Sequence, residues 1–234
     1  MQLIPHLLVR TFLNTSPRIN LEAELQEILK REKGLTILQV GANDGKTHDP
    51  LFLGLIDNKS HESHHIEAVP RVWSELKSNY SLRHNSTCHN LLITKEEGSI
   101  PFYTIKESSA IKKNLPSFWR MIGSTNDNHA LKVLPQLTRD DVEMTLMKAI
   151  TPSGFRKQTG LESIDLLHID CEGADYSILS GFLNDFRPGW ILIEHKHLTV
   201  KELFLLRIGQ FIRGYSCQRN KDDFLFTKRN LLEK

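Results

Sequence analysis

Cysteine is scarce in this sequence, and its spacing excludes two common structural uses of the residue. The chain has three cysteines in 234 residues, Cys88, Cys171 and Cys217, and no C-x-x-C pair. An odd, widely spaced set does not build a disulfide framework, and thiolate zinc sites need closely paired cysteines. Free thiols are typical of a reducing compartment, so we expect a cytoplasmic protein.

An excess of charge is also absent. The 30 basic residues nearly balance the 28 acidic ones, which gives a net charge of +2, and no long run of one sign occurs. Nucleic-acid-binding domains usually carry a basic stripe, so we expect no nucleic-acid partner. The length and the ordinary apolar content fit one globular domain with a full core, and they leave the oligomeric state open.

Long apolar runs are missing as well. The start, MQLIPHLLVRTFLNTSPRIN, contains one apolar patch, but Pro5, His6 and Arg10 interrupt it and no basic region precedes it. A signal peptide needs a basic start, and a membrane-spanning helix needs about 20 apolar residues. We therefore expect no membrane insertion, and we expect residues 1–34 to form a segment and a helix that pack on the domain.

Strands and helices alternate along most of the chain. Asn20 is a candidate N-cap for a helix in NLEAELQEILKREKG, and TILQV follows as a short apolar strand. Pro70 opens another helix, and a capping box of Thr199 and Glu202 opens one near the end. YSCQRN and DFLFTK close the chain as an antiparallel pair. This alternation predicts an α/β fold with a mostly parallel sheet covered on both faces.

Residues 107–160 differ in composition from the rest of the chain, with prolines, glycine and polar clusters between apolar residues. We expect this stretch to be a substrate-side insertion in a domain that spans residues 35–234, since irregular segments on a regular scaffold often carry function. Within it, TRDDVEMTLMKAI predicts a helix that begins at Thr138.

Polar residues follow the predicted strands at the points where the strands end. The carboxyl ends of parallel strands form one edge of the sheet, and ligands bind at that edge. A carboxylate after the second strand suits a ribose, because it accepts hydrogen bonds from both vicinal hydroxyls. The strand-end residues are Gly41, Ala42, Asn43, Glu67, Asp170, Glu172, Glu194 and His195.

The glycines after the first strand do not form a dinucleotide-binding turn. The G-x-G-x-x-G fingerprint needs glycine at positions 41, 43 and 46, and this chain has Gly41, Asn43 and Lys46. Asp44 would also repel a diphosphate. These residues disfavour a nicotinamide-dependent oxidoreductase, which is kept as an alternative together with a non-catalytic cofactor-binding module. They favour a phosphate-free cofactor with a ribose and a cationic centre, S-adenosylmethionine.

Four blocks resemble the FkbM family of S-adenosylmethionine-dependent methyltransferases. They are ILQVGANDGKTHDPLF, HHIEAVPRVWSELKSNY, IDLLHIDCEGADYSILSGF and WILIEH, in the family's order. The resemblance implies a Rossmann-like, seven-stranded class I methyltransferase fold with an antiparallel last strand. It implies that Gly41, Ala42 and Asn43 pass beneath the methionine part of the cofactor and that Glu67 holds the ribose. It also implies methylation of a hydroxyl on a sugar or another small molecule.

Two residues depart from the family pattern. Ala68 follows Glu67 where the family usually has proline, although Pro70 is retained. His168 stands where many members have lysine. The first change leaves the implied role of Glu67 in place.

Methyl transfer to a sugar hydroxyl calls for a general base or a divalent metal, because such a hydroxyl has a very high pKa. His195, Asp170 and Glu194 are the candidate catalytic residues. The same three are candidate ligands of Mg²⁺, a hard cation that prefers oxygen ligands. Asp170 and Glu172 are also candidate cofactor contacts, and the alternative without a metal is that they cap the following helix or hydrogen-bond the cofactor.

Two histidine-containing stretches need a separate interpretation. His48, in KTHDP, is a candidate contact of the cofactor or the substrate, and the equal alternative is that His48 and Asp49 cap a helix beginning near Pro50. HESHH, at residues 61–65, has the composition of a metal-binding cluster, but it enters its strand from the end opposite the site. We therefore expect a solvated loop there.

Overall fold

The computed structural model describes residues 16–171 and 174–232 of the chain. The apolar patch at the start of the sequence and the predicted cofactor contact Glu172 lie outside these ranges. Within them the helices are α1 (Leu21–Arg31), α2 (Phe52–Asp57), α3 (Pro70–Asn79), α4 (Glu107–Lys112), α5 (His129–Val133), α6 (Pro152–Thr159), α7 (Asp175–Asp185) and α8 (Val200–Ile212). The strands are β1 (Thr36–Val40), β2 (Glu62–Ile66), β3 (Ser86–His89), β4 (Leu92–Ile93), β5 (Gly98–Ile105), β6 (Gly123–Ser124), β7 (Val142–Ile150), β8 (Leu166–Ile169), β9 (Trp190–Glu194), β10 (Tyr215–Arg219) and β11 (Asp223–Lys228).

The main sheet of the described residues has seven strands in the order β10-β11-β9-β8-β1-β2-β3. β1 pairs in parallel with both β2 and β8, whereas β11 runs antiparallel to its neighbours β9 and β10. The strand order therefore reverses between β1 and β8, and α/β sheets bind ligands at such a switch point. The predicted α/β fold and its closing antiparallel pair are confirmed.

Apolar layers cover both faces of the main sheet. Leu25 of α1 packs with Ile37 on one face, and Phe182 of α7 packs with Leu38 on the other. The predicted helix starts are confirmed, since the Asn20 side chain caps α1 and a capping box opens α8. In the ranges described above, no helix has both the length and the apolar character needed to cross a bilayer.

A second sheet has the order β4-β7-β5-β6, and its strand β7 stands where the sequence predicted a helix. The helix expected from Thr138 is wrong: the Thr138 capping box covers only the single turn Arg139–Asp141. β7 follows at once and pairs antiparallel with β5, with Val142 opposite Ile105. The capping signal is local, whereas strand formation here depends on a partner from a much earlier part of the chain.

The three histidines of HESHH are buried, so the solvated loop expected there is wrong. His61 donates from Nε2 to the Leu29 carbonyl oxygen at 2.8 Å, and its Nδ1 accepts the Leu35 N–H at 3.2 Å. His64 and His65 are successive residues of β2 and therefore point to opposite faces of the sheet. These imidazoles tolerate burial because neighbouring groups satisfy their ring nitrogens.

Candidate active site

A cavity of about 600 Å³ opens at the carboxyl ends of β1, β2 and β8. This volume lies within the usual range of small-molecule sites. The main sheet contributes one wall through Gly41, Asn43, Glu67 and Asp170. The second sheet and the segment after β6 contribute the other wall, which includes Ile100, Phe102, Ser124, Thr125, Asn126 and His129.

Gly41 lets the ends of β1 and β8 approach each other. Its φ is +79°, a left-handed conformation that glycine adopts without a steric cost. A β-carbon at this position would overlap the carbonyl oxygen of Asp170. The N–H groups of Gly41 and Ala42 both donate to the Ile66 carbonyl oxygen, at 3.0 and 2.9 Å, which joins the turn to β2. Ala42 is buried, while Gly41 and Asn43 line the cavity.

Backbone groups hold the Glu67 carboxylate at the β2 end of the cavity. Its Oε2 accepts the Asn43 N–H at 2.9 Å, and its Oε1 accepts the Val69 N–H at 2.7 Å. The Ala68 N–H also lies near enough to favour the ionised carboxylate, and the family's usual proline would lack this N–H. Burial raises the pKa of Glu67 to about 7, although the three N–H groups oppose the rise.

This carboxylate fits the ribose of S-adenosylmethionine. A carboxylate accepts at about four lone-pair sites, so two sites remain for ligand hydroxyls beyond the N–H donors of Asn43 and Val69. Asp44 accepts the N–H groups of Lys46 and Thr47 at 2.9 and 2.7 Å, and it thereby fixes the turn that follows Gly41. A turn that contains an acid suits a ribose-bearing cation better than a pyrophosphate.

Asp170 and Cys171 follow β8 and line the same cavity. The Asp170 N–H donates to the Val40 carbonyl oxygen at 3.0 Å, which places the residue beside the Gly41 turn. The Cys171 N–H donates to Asp175, the first residue of α7, at 2.7 Å. Burial raises the pKa of the Cys171 thiol well above its ordinary value, so the thiol is protonated at neutral pH and is not a nucleophile.

Glu194 and His195 lie at the end of β9 and do not line the cavity. The His195 ring packs on Phe224 with centroids 4.2 Å apart, and its backbone N–H donates to the Asp222 carbonyl oxygen at 2.8 Å. Burial lowers the pKa of His195. Across the described parts of the chain, no three His, Cys, Asp or Glu side chains gather in a way that could hold a metal. A Mg²⁺ site at Asp170, Glu194 and His195 stays a prediction of the sequence.

The KTHDP stretch leads from the cofactor turn to α2. Asp49 accepts the Leu51 N–H at 2.8 Å and an Nε2–H of Gln39 at 3.2 Å. Its side chain therefore hydrogen-bonds the backbone directly before α2. His48 is exposed, adopts a φ of +60° and does not line the cavity. A contact between His48 and the cofactor stays a prediction of the sequence.

The residues of the second wall were missed in the sequence. Ser124, Thr125, Asn126 and His129 belong to the polar stretch STNDNH, which runs from the last residue of β6 to the first residue of α5. The irregular composition of residues 107–160 indicated a functional segment but singled out none of these side chains. The available signal was this cluster of hydrogen-bonding residues between apolar ones.

The sheet order, the glycine turn after β1 and the carboxylate after β2 define a class I, Rossmann-like methyltransferase. The model of the Methyltransferase FkbM domain matches residues 39–221, which is more than half of the chain. The chain therefore belongs to the FkbM methyltransferase family, and it is an S-adenosylmethionine-dependent methyltransferase.

Solved methyltransferase structures resemble this fold at low sequence identity. The O-methyltransferase from Bacillus cereus in complex with SAH gives a TM-score of 0.48 at 13% identity, over 95% of this chain and 88% of that one. The precorrin-6y C5,15-methyltransferase from Geobacter metallireducens gives 0.46 at 11% identity, over 88% and 85%. No curated protein matches the chain. Similarities this distant leave the acceptor open.

Proposed function

We propose that this methyltransferase transfers the methyl group to a hydroxyl of a small molecule, a sugar or a glycan. The observation that supports this substrate is the second wall of the cavity, where Ser124, Thr125 and Asn126 lie near the apolar side chains of Ile100 and Phe102. Hydroxyl and amide groups hydrogen-bond sugar hydroxyls, and apolar side chains cover the C–H surface of the ring. A purely apolar or strongly charged acceptor would suit this wall less well.

Bound S-adenosylmethionine supplies an activated methyl group, and the chain's own residues bind and orient the reactants. Gly41 and Asn43 line the cavity, with Ala42 buried behind them, and would hold the methionine part, while Glu67 would accept from the ribose hydroxyls. Holding an acceptor oxygen in line with the methyl group can lower the barrier by about 7–11 kcal/mol. Of the three predicted catalytic residues, Asp170 lines the cavity and can orient either reactant.

The acceptor is tested with isotope-labelled S-adenosylmethionine and a panel of methyl glycosides and oligosaccharides. We expect label in a methyl ether on one sugar, and no label when the corresponding deoxy sugar replaces it. The matched enzyme control is Glu67→Ala, which removes the ribose contact. Label found only on nitrogen or carbon of other acceptors would contradict the hydroxyl. A rise in melting temperature with NADH and none with S-adenosylhomocysteine would favour the oxidoreductase alternative.

We further propose a cytoplasmic enzyme without a nucleic-acid substrate. The three free thiols and the nearly neutral charge support this placement. Cell fractionation tests the location. Total RNA and DNA, offered as methyl acceptors beside the sugar panel, test the substrate class, and label in either polymer would contradict it.

A further inference from the structure

Strand β7 has a long edge that no described strand covers. β5 pairs with β7 from Val142 to Ala149. On the opposite side of β7, β4 pairs only with Ala149 and Ile150. β4 and β5 are the two neighbours of β7 in this sheet of the described residues. Residues 142–148 of β7 therefore form a free edge on the side away from β5.

The backbone N–H and C=O groups of alternate residues point toward this free edge. In an antiparallel pair, opposite residues either exchange two hydrogen bonds or direct their groups away from each other, in strict alternation. Asp141, directly before β7, accepts the Lys106 N–H at 2.9 Å across the pair that β5 and β7 form. By this alternation the odd-numbered residues of β7 bond to β5, and Met144 and Leu146 direct their groups away from it.

Two further contacts agree with this alternation. Pro101, which stands opposite Leu146, has no N–H and cannot exchange a pair of hydrogen bonds with it. The Ile150 carbonyl oxygen accepts the Thr94 N–H at 3.0 Å from the β4 side, so an even-numbered residue of β7 bonds away from β5. Met144 and Leu146 therefore each present one N–H and one C=O to the free edge, and β4, the described neighbour on that side, pairs with neither residue.

The side chains along the free edge are exposed on both faces of the sheet. Met144 and Leu146 lie on the face away from the cavity and are 55% and 60% exposed. Glu143 and Thr145, which point to the other face, are exposed as well. β7 contains no proline, and its register with β5 is continuous, so no bulge interrupts the edge. A long, apolar edge of this kind is a template for pairing with another strand.

β7 fits antiparallel pairing with the β7 of a second copy of the chain. A twofold axis relates identical surfaces, so a symmetric antiparallel pair must centre on one residue that lies opposite itself. A centre at Thr145 places Met144 of each copy opposite Leu146 of the other. Because the groups of these two residues point outward, each such pair exchanges two N–H···O hydrogen bonds and brings two exposed apolar side chains together. A centre at Leu146 would instead place Met144 opposite the ammonium of Lys148.

We propose that two copies of this chain form a homodimer by pairing their β7 strands antiparallel about Thr145, which joins the two second sheets into one. The partner is a second copy and not an unrelated peptide strand, because one chain supplies both halves of these hydrogen bonds and of the apolar contact. β5, which pairs with β7, contributes Ile100 and Phe102 to the cavity. The dimer interface therefore braces the strand that carries part of the second wall.

Sedimentation velocity of the full chain over a concentration series tests the dimer. Leu146→Pro removes an N–H that points to the free edge and leaves the bonds between β7 and β5 in place. We expect it to raise the dissociation constant of the dimer by about tenfold or more, because each dimer loses two hydrogen bonds. Leu146→Lys should have the same effect, because it places two ammonium groups near the axis. A wild-type chain that stays monomeric at every concentration would overturn the proposal.

A matched control shows whether the effect belongs to β7. Phe211 is 62% exposed on α8, close to the 60% of Leu146, and Phe211→Lys should leave the dimer intact. All three variants should bind S-adenosylhomocysteine within about twofold of the wild type by calorimetry, which shows that they are folded. A dimer that persists in both folded Leu146 variants would overturn the assignment, and its loss in Phe211→Lys instead would place the interface on α8.

Cysteine cross-linking tests the register even where a Leu146 variant fails to fold. Thr145→Cys places a thiol opposite its own copy in a pair that does not exchange hydrogen bonds, where Cα atoms lie about 4.5 Å apart, within the range of a disulfide. We expect mild oxidation with copper phenanthroline to link this variant into a covalent dimer.

Two proteins control for random collision. Glu143→Cys, on the same face as Thr145 but opposite Met147 of the second copy, should stay unlinked, and so should the wild type with its three native cysteines. No covalent dimer from Thr145→Cys, equal linking of Glu143→Cys, or linking of Leu146→Cys in place of Thr145→Cys would each overturn the proposed pairing.

Discussion

Replacement of Glu67 by alanine perturbs both the fold and the cofactor site, and the structure gives the size of each effect. The carboxylate accepts the N–H groups of Asn43 and Val69 at 2.9 and 2.7 Å. A buried donor left without a partner costs about 1–3 kcal/mol, so we expect the free energy of unfolding to fall by about 2–4 kcal/mol. Loss of a charge-assisted hydrogen bond to the ribose costs about 1.5–3 kcal/mol, which weakens S-adenosylhomocysteine by about 10- to 100-fold.

Two assays separate these effects. Chemical unfolding measures stability, and calorimetry at mildly alkaline pH measures the affinity for S-adenosylhomocysteine. Glu67→Gln keeps one acceptor oxygen and leaves one backbone donor unpaired, so we expect about half the loss of stability. Glu22→Ala, an exposed glutamate on α1, is the control and should change neither quantity. Unchanged affinity in a folded Glu67→Ala protein would refute the placement of the ribose.

Three further predictions follow from contacts around the turn. Burial raises the pKa of Glu67 from 4.5 to about 7 in the folded protein. Between these two pH values the folded protein binds a proton that the unfolded chain does not, so the free energy of unfolding without ligand should fall as the pH rises from about 4.5 to about 7. Ribose hydroxyls favour the ionised carboxylate, so calorimetry should show S-adenosylhomocysteine binding weaken below pH 7 by up to about tenfold per unit, and Glu67→Gln should remove this slope. Gly41→Ala places a β-carbon on the Asp170 carbonyl oxygen at a positive φ, so we expect a loss of about 2–3 kcal/mol in chemical unfolding and no detectable binding. Gln39→Leu removes hydrogen bonds to the buried His65 and His168 and to the half-buried Asp49. It should lower the free energy of unfolding by about 2–4 kcal/mol, with S-adenosylhomocysteine binding retained in the folded fraction. Unfolding curves that match the wild type for either variant would contradict these contacts.

The main sheet was predictable because its signals are local. Apolar strands end at glycine or an acid, helices begin at Asn20 or at the capping box of Thr199, and the structure has both helix starts. β7 was not predictable in the same way. Its residues include Val142, Thr145 and Ile150, which favour strands, but the pattern from Thr138 onward was interpreted as a helix. Pairing with β5, which the sequence pattern does not record, decided the outcome.

The candidate site likewise contains some residues that local sequence signals predict and others that they do not. Strand ends on one sheet edge meet by topology alone, so the position of Gly41, Glu67 and Asp170 around one cavity followed from the sequence. Glu194 also ends a strand, but the cavity extends toward the second sheet and not toward β9. The sequence could not show that direction, because it depends on how the second sheet packs beside the first. His129 belongs to the part of the site that only tertiary structure assembles.

The departure from the family pattern at His168 has a physical explanation, because His168 belongs to a row of buried, hydrogen-bonded side chains beneath the cofactor turn, His168, Gln39 and His65. Burial lowers the pKa of His168 to about 4, so its ring is neutral, and its Nδ1 lies 3.1 Å from Nε2 of Gln39, which can only donate. The Nε2 proton of His168 is therefore fixed. Gln39 also donates to Asp49 and accepts from Nδ1 of His65 at 2.9 Å, so one amide joins β8, β1, β2 and the start of α2. A lysine at position 168 would place a second donor opposite the donating Nε2 of Gln39. The Gln39 amide oxygen could not accept from that lysine instead, because it already accepts from His65. The identities of residues 39, 65 and 168 are therefore coupled, and the turn at Gly41 leaves β1 two residues after the amide that joins them.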